Sequence, residues 1–364
     1  MLAFGRLRAG VRVPIVVSAT LAGCACLALI GSSITTDAAT SWADLMFLVR
    51  LAKYLVVFCV VYVLATCFDV RSARFASAVL GLFGVAAAVG IAQYFNLLAI
   101  NARLSPAYDD AALLQSGASW RRSFGTVGNS NYFGFLAAVG AAFAIWAALT
   151  MRRGIIAISA IVGSLCLFGV LVSGSRGAFL ALGAMAAVIL LTGIAGMKQR
   201  RRLLIGGTVI AAAGPTILNF LGAMPFANRF FFVWGVQDSN SLISIGLRRQ
   251  LWEAELDRLE GHWIFGIGPQ KGQLIQWVDN DFLRLTREFG LVTSIPYIAL
   301  LTIGALLLLR RSFGAENFGG ASLLSLAVLV GIATMGISAD LFYHEQSMAV
   351  ALVLLGLYIP RSQR

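Results

Sequence analysis

A chain of 364 residues that is 59% hydrophobic and only 12% charged is too apolar for a soluble globular protein, and its runs of roughly 20 apolar residues are long enough to cross a bilayer as helices. The formal net charge of +12 therefore asks for a membrane explanation before a nucleic-acid one, because basic residues at span ends retain loops in the cytoplasm. Five cysteines (Cys24, Cys26, Cys59, Cys67 and Cys166) fall in or at the end of apolar runs, with no CxxC pair and no histidine cluster, which argues against disulfides and metal centres.

In chain order, the basic start and the apolar run Val13–Ile30 resemble a signal peptide. The run is long and more spans follow, so it reads as a first anchored span. The pattern predicts ten spans, at about 13–33, 43–66, 74–95, 131–150, 154–173, 177–197, 203–222, 289–309, 320–339 and 345–360. This is an all-α, polytopic integral membrane protein with about 10 transmembrane helices. Basic residues gather at alternate ends of these spans: Arg6, Arg8 and Arg12; Arg71 and Arg74; Arg152 and Arg153; Lys198 and Arg200 to Arg202; Arg310 and Arg311; Arg361 and Arg364. The positive-inside rule then makes the N and C termini cytoplasmic. Spans 1 to 7 occupy 1–222, a long outer loop fills 223–288 between spans 7 and 8, and spans 8 to 10 occupy 289–364, together one integrated membrane domain.

Within the long outer loop, LRRQLWEAELDRLEG predicts an amphipathic helix. Leu247, Leu251, Trp252, Leu256 and Leu259 share a face, and Gly261 is a plausible stop. Arg50 and Lys53 lie on one face of the second span, a costly depth for a cation facing lipid. They either snorkel outwards or line a cavity.

Arg176 is the only charged residue between Arg153 and Lys198. At the outer end of a tight helical hairpin it either snorkels to the headgroups or faces into the bundle to receive an anion. The guanidinium fork suits phosphate, the small residues of SGSRG let a phosphate approach the backbone, and a helix start favours anions. Arg248 and Arg249 open the amphipathic helix; Arg249 can pair with Glu253 four residues on. Two outward-facing arginine sites suggest a diphosphate, and membrane-borne diphosphates outside the cytoplasm are polyprenyl-linked sugars.

Four stretches carry a family resemblance: GTVGNSNYFGFLAA (125–138), SGSRGAFLAL (173–182), RRQLWEAELDRLEGHWIFGIGP (248–269) and DNDFLRLTREFGLV (279–292). By their order and spacing the chain resembles the bacterial O-antigen ligase and polymerase family of membrane glycosyltransferases, over roughly residues 75–345. The resemblance implies an outer cavity for an undecaprenyl-pyrophosphate-linked glycan, with arginines on the pyrophosphate and a base activating an acceptor hydroxyl. It gives Arg176 the hairpin arginine's role and Arg248 the outer-helix role, with Arg249 as fallback. Ligases carry His-Asn where this chain has Asp279-Asn280, which turns the reading towards the polymerase branch. The implied activity is polymerisation of lipid-linked oligosaccharide repeat units into an O-antigen or exopolysaccharide. The alternatives are an O-antigen ligase acting on lipid A-core or protein, and a lipid-linked sugar transporter or flippase. The latter fits less well, because the unusual polar residues crowd the outer ends of spans rather than the midplane.

Inverting displacement at the anomeric carbon needs a general base within reach of the acceptor hydroxyl. Asp279 is the first candidate, Asp281 the second and His344 the third; helix capping is the plainer role for each. His262, beside Trp263, reads as interfacial. Asn129, Asn131, Arg122 and Asn280 are candidates for glycan contacts or the rim of the site, with capping the plainer role for the two asparagines before the fourth span; Arg121 joins that rim. DND also fits an acid-x-acid metal motif, and Asp37 and Asp44 could mimic a metal site, but arginines can replace a cation at a diphosphate. No metal and no cofactor is expected. Expected partners are the lipid-linked glycan, the bilayer and, from the resemblance, a chain-length regulator and a flippase, with no nucleic acid. The expected location is the bacterial inner membrane, with the active site facing the periplasm.

Overall fold

The structure is a computed structural model that describes residues 2–36, 42–67, 72–104, 122–151, 153–195, 239–269, 279–312 and 320–358. Among the described residues it is all-α. The helices are α1 (Leu2–Thr35), α2 (Trp42–Cys67), α3 (Ala73–Tyr94), α4 (Ile100–Leu104), α5 (Ser130–Thr150), α6 (Arg153–Ser173), α7 (Arg176–Ala195), α8 (Ser239–Arg258), α9 (Asp281–Ser312), α10 (Ala321–Gly336) and α11 (Glu345–Tyr358), with short 3-10 turns at Leu97–Ala99 and Leu341–Tyr343. Six contain stretches long and apolar enough to span a membrane: Ser18–Thr35, Leu45–Ala65, Ala73–Tyr94, Ser130–Thr150, Gly154–Ser173 and Asp281–Ser312. Three more apolar helices are shorter: Arg176–Leu191, Ser322–Gly336 and Glu345–Leu357. The chain is a multi-pass membrane protein. The expected span 203–222 lies outside the described residues, as do Asp37 and Arg121.

The helices form two compact units, each drawn from separate stretches of chain: Met1–Asp69 with Ile243–Leu307 and Gly336–Arg364, and Val70–Leu242 with Leu308–Met335. In the second unit, α5 is buried on almost every face, and α3, α6 and α7 pack against it. Small residues make that possible. A Cβ on Gly140 would stand 2.8 Å from both Cys166 Sγ and a Phe83 ring carbon, and one on Gly134 would stand 2.8 Å from the Ala178 Cβ. Association inside lipid depends on such close contact, because helix burial releases little water there.

In the first unit the core is aromatic. Phe342 packs against Phe47, Tyr54 and Tyr297 at ring-centroid distances of 5.5, 5.5 and 5.7 Å. Its backbone is held at both ends. The N–H donates to both Asp281 carboxylate oxygens at 3.0 Å, and the carbonyl accepts from the Tyr54 hydroxyl at 2.7 Å.

Helix α9 breaks at Gly290 (φ 63°, ψ −172°), a backbone conformation open to glycine. The segment after α8 lies along the break. Ile267 and Gly268 donate to the carbonyls of Arg287 and Glu288 at 2.8 and 3.1 Å. Leu291 and Val292 donate to those of Trp263 and Ile264 at 2.8 and 3.2 Å. These four bonds satisfy backbone groups that the interrupted helix leaves unpaired. The approach is so close that a Cβ on Gly290 would collide with the Ile264 carbonyl, and one on Gly266 would lie 2.6 Å from the Gly290 nitrogen. FGIGP and EFG therefore serve as a paired glycine contact.

Candidate active site

Each unit carries its own cluster of polar residues. In the unit containing α5, the SGSRG stretch is the turn between α6 and α7. Gly174 takes a positive φ of 62°, and its N–H bonds the Leu171 carbonyl at 3.0 Å. Ser175 caps α7, its hydroxyl accepting the Ala178 N–H at 3.3 Å. Arg176 is the first residue of α7 and is half-buried. Arg122 straps this turn to the asparagine-rich stretch. Its Nε donates to the Ser173 carbonyl at 2.9 Å, and its terminal nitrogen donates to Asn131 Oδ1 at 2.8 Å. Asn129 caps α5, accepting the Asn131 N–H at 2.9 Å. Beneath them Gln93, a buried amide within α3, accepts the N–H groups of Phe124 and Gly125 at 3.2 and 2.6 Å and donates to the Gly125 carbonyl at 3.2 Å. Two motifs far apart in sequence are thus bound into one element, with Arg176 at its turn.

Because Gly134 abuts that turn, Gly134→Ala is expected to push on Ser175 and Ala178. It should cost about 1–3 kcal/mol, read as a lowered unfolding temperature in detergent, with glycan transfer reduced in parallel.

In the other unit, DND sends its three side chains to three partners. Asp279 faces Arg248, Oδ2 to NH2 3.1 Å, with 32% and 28% of the two side chains exposed. Asn280 is the helix cap, its Oδ1 accepting from Phe282 and Leu283 at 3.0 Å. Asp281 is buried against the Phe342 N–H. The two carboxylates of the acid-x-acid motif do not converge. Arg249 is 80% exposed and pairs with Glu253 at 2.7 Å, so the adjacent arginines have separate partners.

Around them lies a buried ionic network. Glu255 accepts from Arg258 and Arg287 at 2.8 and 3.4 Å. Glu288 accepts from Arg284 and Arg287 at 2.9 and 3.3 Å and from the Tyr343 hydroxyl. Asp340 takes the other arm of Arg284. The Arg284 guanidinium lies 3.6 Å from the Tyr343 ring centroid. Burial, and then the neighbouring Glu288 carboxylate, hold the Tyr343 phenol well above its ordinary range, so it stays a donor. Breaking such buried pairs is costly. His344 Nδ1 contacts the Ser347 hydroxyl at 3.0 Å and accepts the Ser347 N–H at 3.3 Å, which caps the first turn of α11. Arg50 and Lys53 both face Glu345, Arg50 at 3.9 Å, and Arg50 also lies 4.8 Å from the Tyr343 ring centroid.

Residues 161–298 match the O-antigen ligase family. This stretch is a domain of the O-antigen ligase family. The matched stretch takes in SGSRG, the α8 arginines, the paired glycines and the DND turn, while the asparagine-rich stretch at 125–138 precedes it. The family implies a glycan-transferring enzyme with a lipid-linked glycan substrate. No curated protein matches the chain.

Several groups around this domain escape a reading of spacing alone. Arg284 and Glu288 stand at i,i+4 and were open to detection; the Asp340 and Tyr343 partners, more than 50 residues on, were not. Gln93 had one signal, a polar residue within an apolar span.

Proposed function

We propose that the protein is a polysaccharide polymerase of the bacterial inner membrane. It joins undecaprenyl-pyrophosphate-linked oligosaccharide repeat units on the periplasmic face, where 223–288 forms the outer loop of a ten-span chain with both termini inside. The acceptor sugar hydroxyl attacks the anomeric carbon of the donor chain with inversion. The new glycosidic bond forms as the bond to the diphosphate breaks, the hydroxyl proton passes to Asp279, and polyprenyl diphosphate leaves. The leaving group needs charge stabilisation rather than protonation. Arg248 supplies it in one unit, with Arg249 next in line; in the other, Arg176 is proposed as an anion-binding side chain in its own right. In the unit that holds Asp279, Asn280 orients or rims the glycan; in the other, Asn129, Asn131 and Arg122 are proposed as polar contacts or a rim in their own right. Asp281 and His344 are the second and third candidates for the base. A chain-length regulator and a flippase are the proposed protein partners.

The observation that carries the assignment of the base is the Asp279–Arg248 contact. Asp279 is one-third exposed, whereas Asp281, Glu255, Glu288 and Asp340 are all buried. The family's own description, O-antigen ligase, favours a second reading in which the same residues pass a finished glycan to lipid A-core or a protein hydroxyl. A product-size assay separates the two. Purified protein in detergent with one polyprenyl-diphosphate oligosaccharide and a chelator is expected to yield a ladder of lengthening glycans. Donor consumed only when lipid A-core is added would establish the ligase instead.

A further inference from the structure

We propose that Arg50 and Lys53 of α2 form a second lipid-phosphate site, which holds the diphosphate of the acceptor lipid while its sugar receives the growing chain. This rests on the polymerase reading, in which both substrates are polyprenyl diphosphates and Arg248 and Arg249 serve the donor.

The charge at this place is unbalanced. Arg50 and Lys53 are the only charged residues of Leu45–Ala65, a stretch long and apolar enough to cross a membrane. They stand three residues apart on one face of α2, and both turn to a single carboxylate, Glu345 at the start of α11. Two positive charges thus meet one negative. Ionisable side chains within a span are costly and mark substrate or ion sites. Glu345 accepts a hydrogen bond from Lys53 but does not complete one with Arg50. The Arg50 Nε lies 3.9 Å from Glu345 Oε1, beyond hydrogen-bond reach, and this buried nitrogen has no hydrogen-bond partner. A buried donor left unpaired costs free energy, which an oxyanion recovers. The group is also within reach of a ligand, with 21% of the Arg50 side chain, 52% of Lys53 and 44% of Glu345 exposed.

Arg50 is placed beforehand. Its guanidinium lies 4.8 Å from the Tyr343 ring centroid. Tyr343 is fixed in turn by its hydrogen bond to Glu288 and by Arg284, 3.6 Å from the same centroid. Arg284 belongs to the first turn of α9, the helix that Asn280 caps directly after Asp279. The two cations and the proposed base therefore belong to one network within one unit. A cation already held in position loses little freedom on binding. The acceptor's diphosphate breaks no bond in the reaction and needs only to be held, a task for which a lysine point charge beside one guanidinium suffices.

The test uses the full chain, purified in detergent, with two one-way lipids. The donor has its own acceptor hydroxyl methylated, and the acceptor carries a methylene in place of its anomeric oxygen, so its sugar cannot leave. Lys53→Gln and Arg50→Gln are each expected to raise the KM for the acceptor about five- to thirtyfold and to leave the donor KM and kcat within about twofold of wild type. Glu345→Gln removes the competing carboxylate and is expected to lower the acceptor KM about two- to fivefold. Unfolding temperatures accompany each rate, and Lys53, half-exposed, is the position where substitution disturbs the fold least. An unmoved acceptor KM in Lys53→Gln overturns the site, as does a donor KM that rises in step with it. A shift of the acceptor KM in the same direction in Lys53→Gln and Glu345→Gln also overturns it, because the two residues would then be a structural ion pair. Phosphatidylglycerol added at the acceptor's concentration is expected to change nothing. If it raised the acceptor KM of wild type but not of Lys53→Gln, the site would belong to bulk phospholipid headgroups. Transfer to lipid A-core alone overturns the polymerase reading itself, whereas intact polymerisation with an unmoved acceptor KM removes only this site.

Discussion

Arg176→Ala is expected to lower glycan transfer by about 10²–10³-fold, the loss typical of a charge-stabilising donor, while leaving the unfolding temperature close to that of wild type. Three other residues shape the turn. Gly174 supplies the positive φ, Ser175 caps α7, and Arg122 holds the Ser173 carbonyl. Arg176 is the first residue of that helix and is half-buried. A guanidinium beside the free N–H groups of a helix N-terminus suits an anionic ligand. Arg176→Lys keeps the charge but loses the planar fork, so its rate should fall between the two. Initial rates with a polyprenyl-diphosphate oligosaccharide, paired with thermal unfolding in detergent, read both quantities. A wild-type rate in the alanine variant would make Arg176 a headgroup anchor for the hairpin and nothing more.

Gly290→Ala is expected to be the most damaging single change to the fold, costing at least about 3 kcal/mol. The backbone there (φ 63°, ψ −172°) is closed to residues with a Cβ, and the added methyl would strike the Ile264 carbonyl. The four hydrogen bonds between 263–268 and 287–292 would be lost together, and with them the register of Arg284, Arg287 and Glu288. The variant should lose transfer, unfold at a markedly lower temperature and be cut readily between 259 and 269 by protease. Gly261→Ala is the control. It also has a positive φ, 81°, but its Cβ would meet nothing within 4 Å, so the cost should be confined to backbone strain of about 1–2 kcal/mol. Equal damage from both substitutions would mean that the close approach at Gly290 is not what holds this segment.

Six of the ten expected spans were legible because lipid demands long apolar runs, and a run such as 131–150 carries its boundaries on its face. The start of α9 was less so. Hydropathy begins the eighth span near 289, but the helix starts at Asp281, because the Asn280 cap and the Arg284–Glu288 pair extend it through a polar stretch. The break at Gly290 leaves no mark in a pattern that continues as EFGLV; its cause is the carbonyl of Ile264, contributed by another segment. Around the DND turn, propensity correctly marks three residues fit to cap a helix without saying which of them does. The choice follows from tertiary partners: Arg248 takes Asp279, the Phe342 N–H takes Asp281, and Asn280 is left to cap. The partner of Arg249 was readable, because Glu253 lies one helical turn away on the same surface.

The glycine- and alanine-lined surface of α5 has a thermal consequence. A water-soluble core is held largely by release of water, a force that fades on cooling. Helices that meet inside lipid gain little from that source and cohere through atom-to-atom contact. The unit built round α5, where Gly134 and Gly140 admit Ala178, Cys166 and Phe83 to contact distance, is accordingly of a kind that chilling does not loosen.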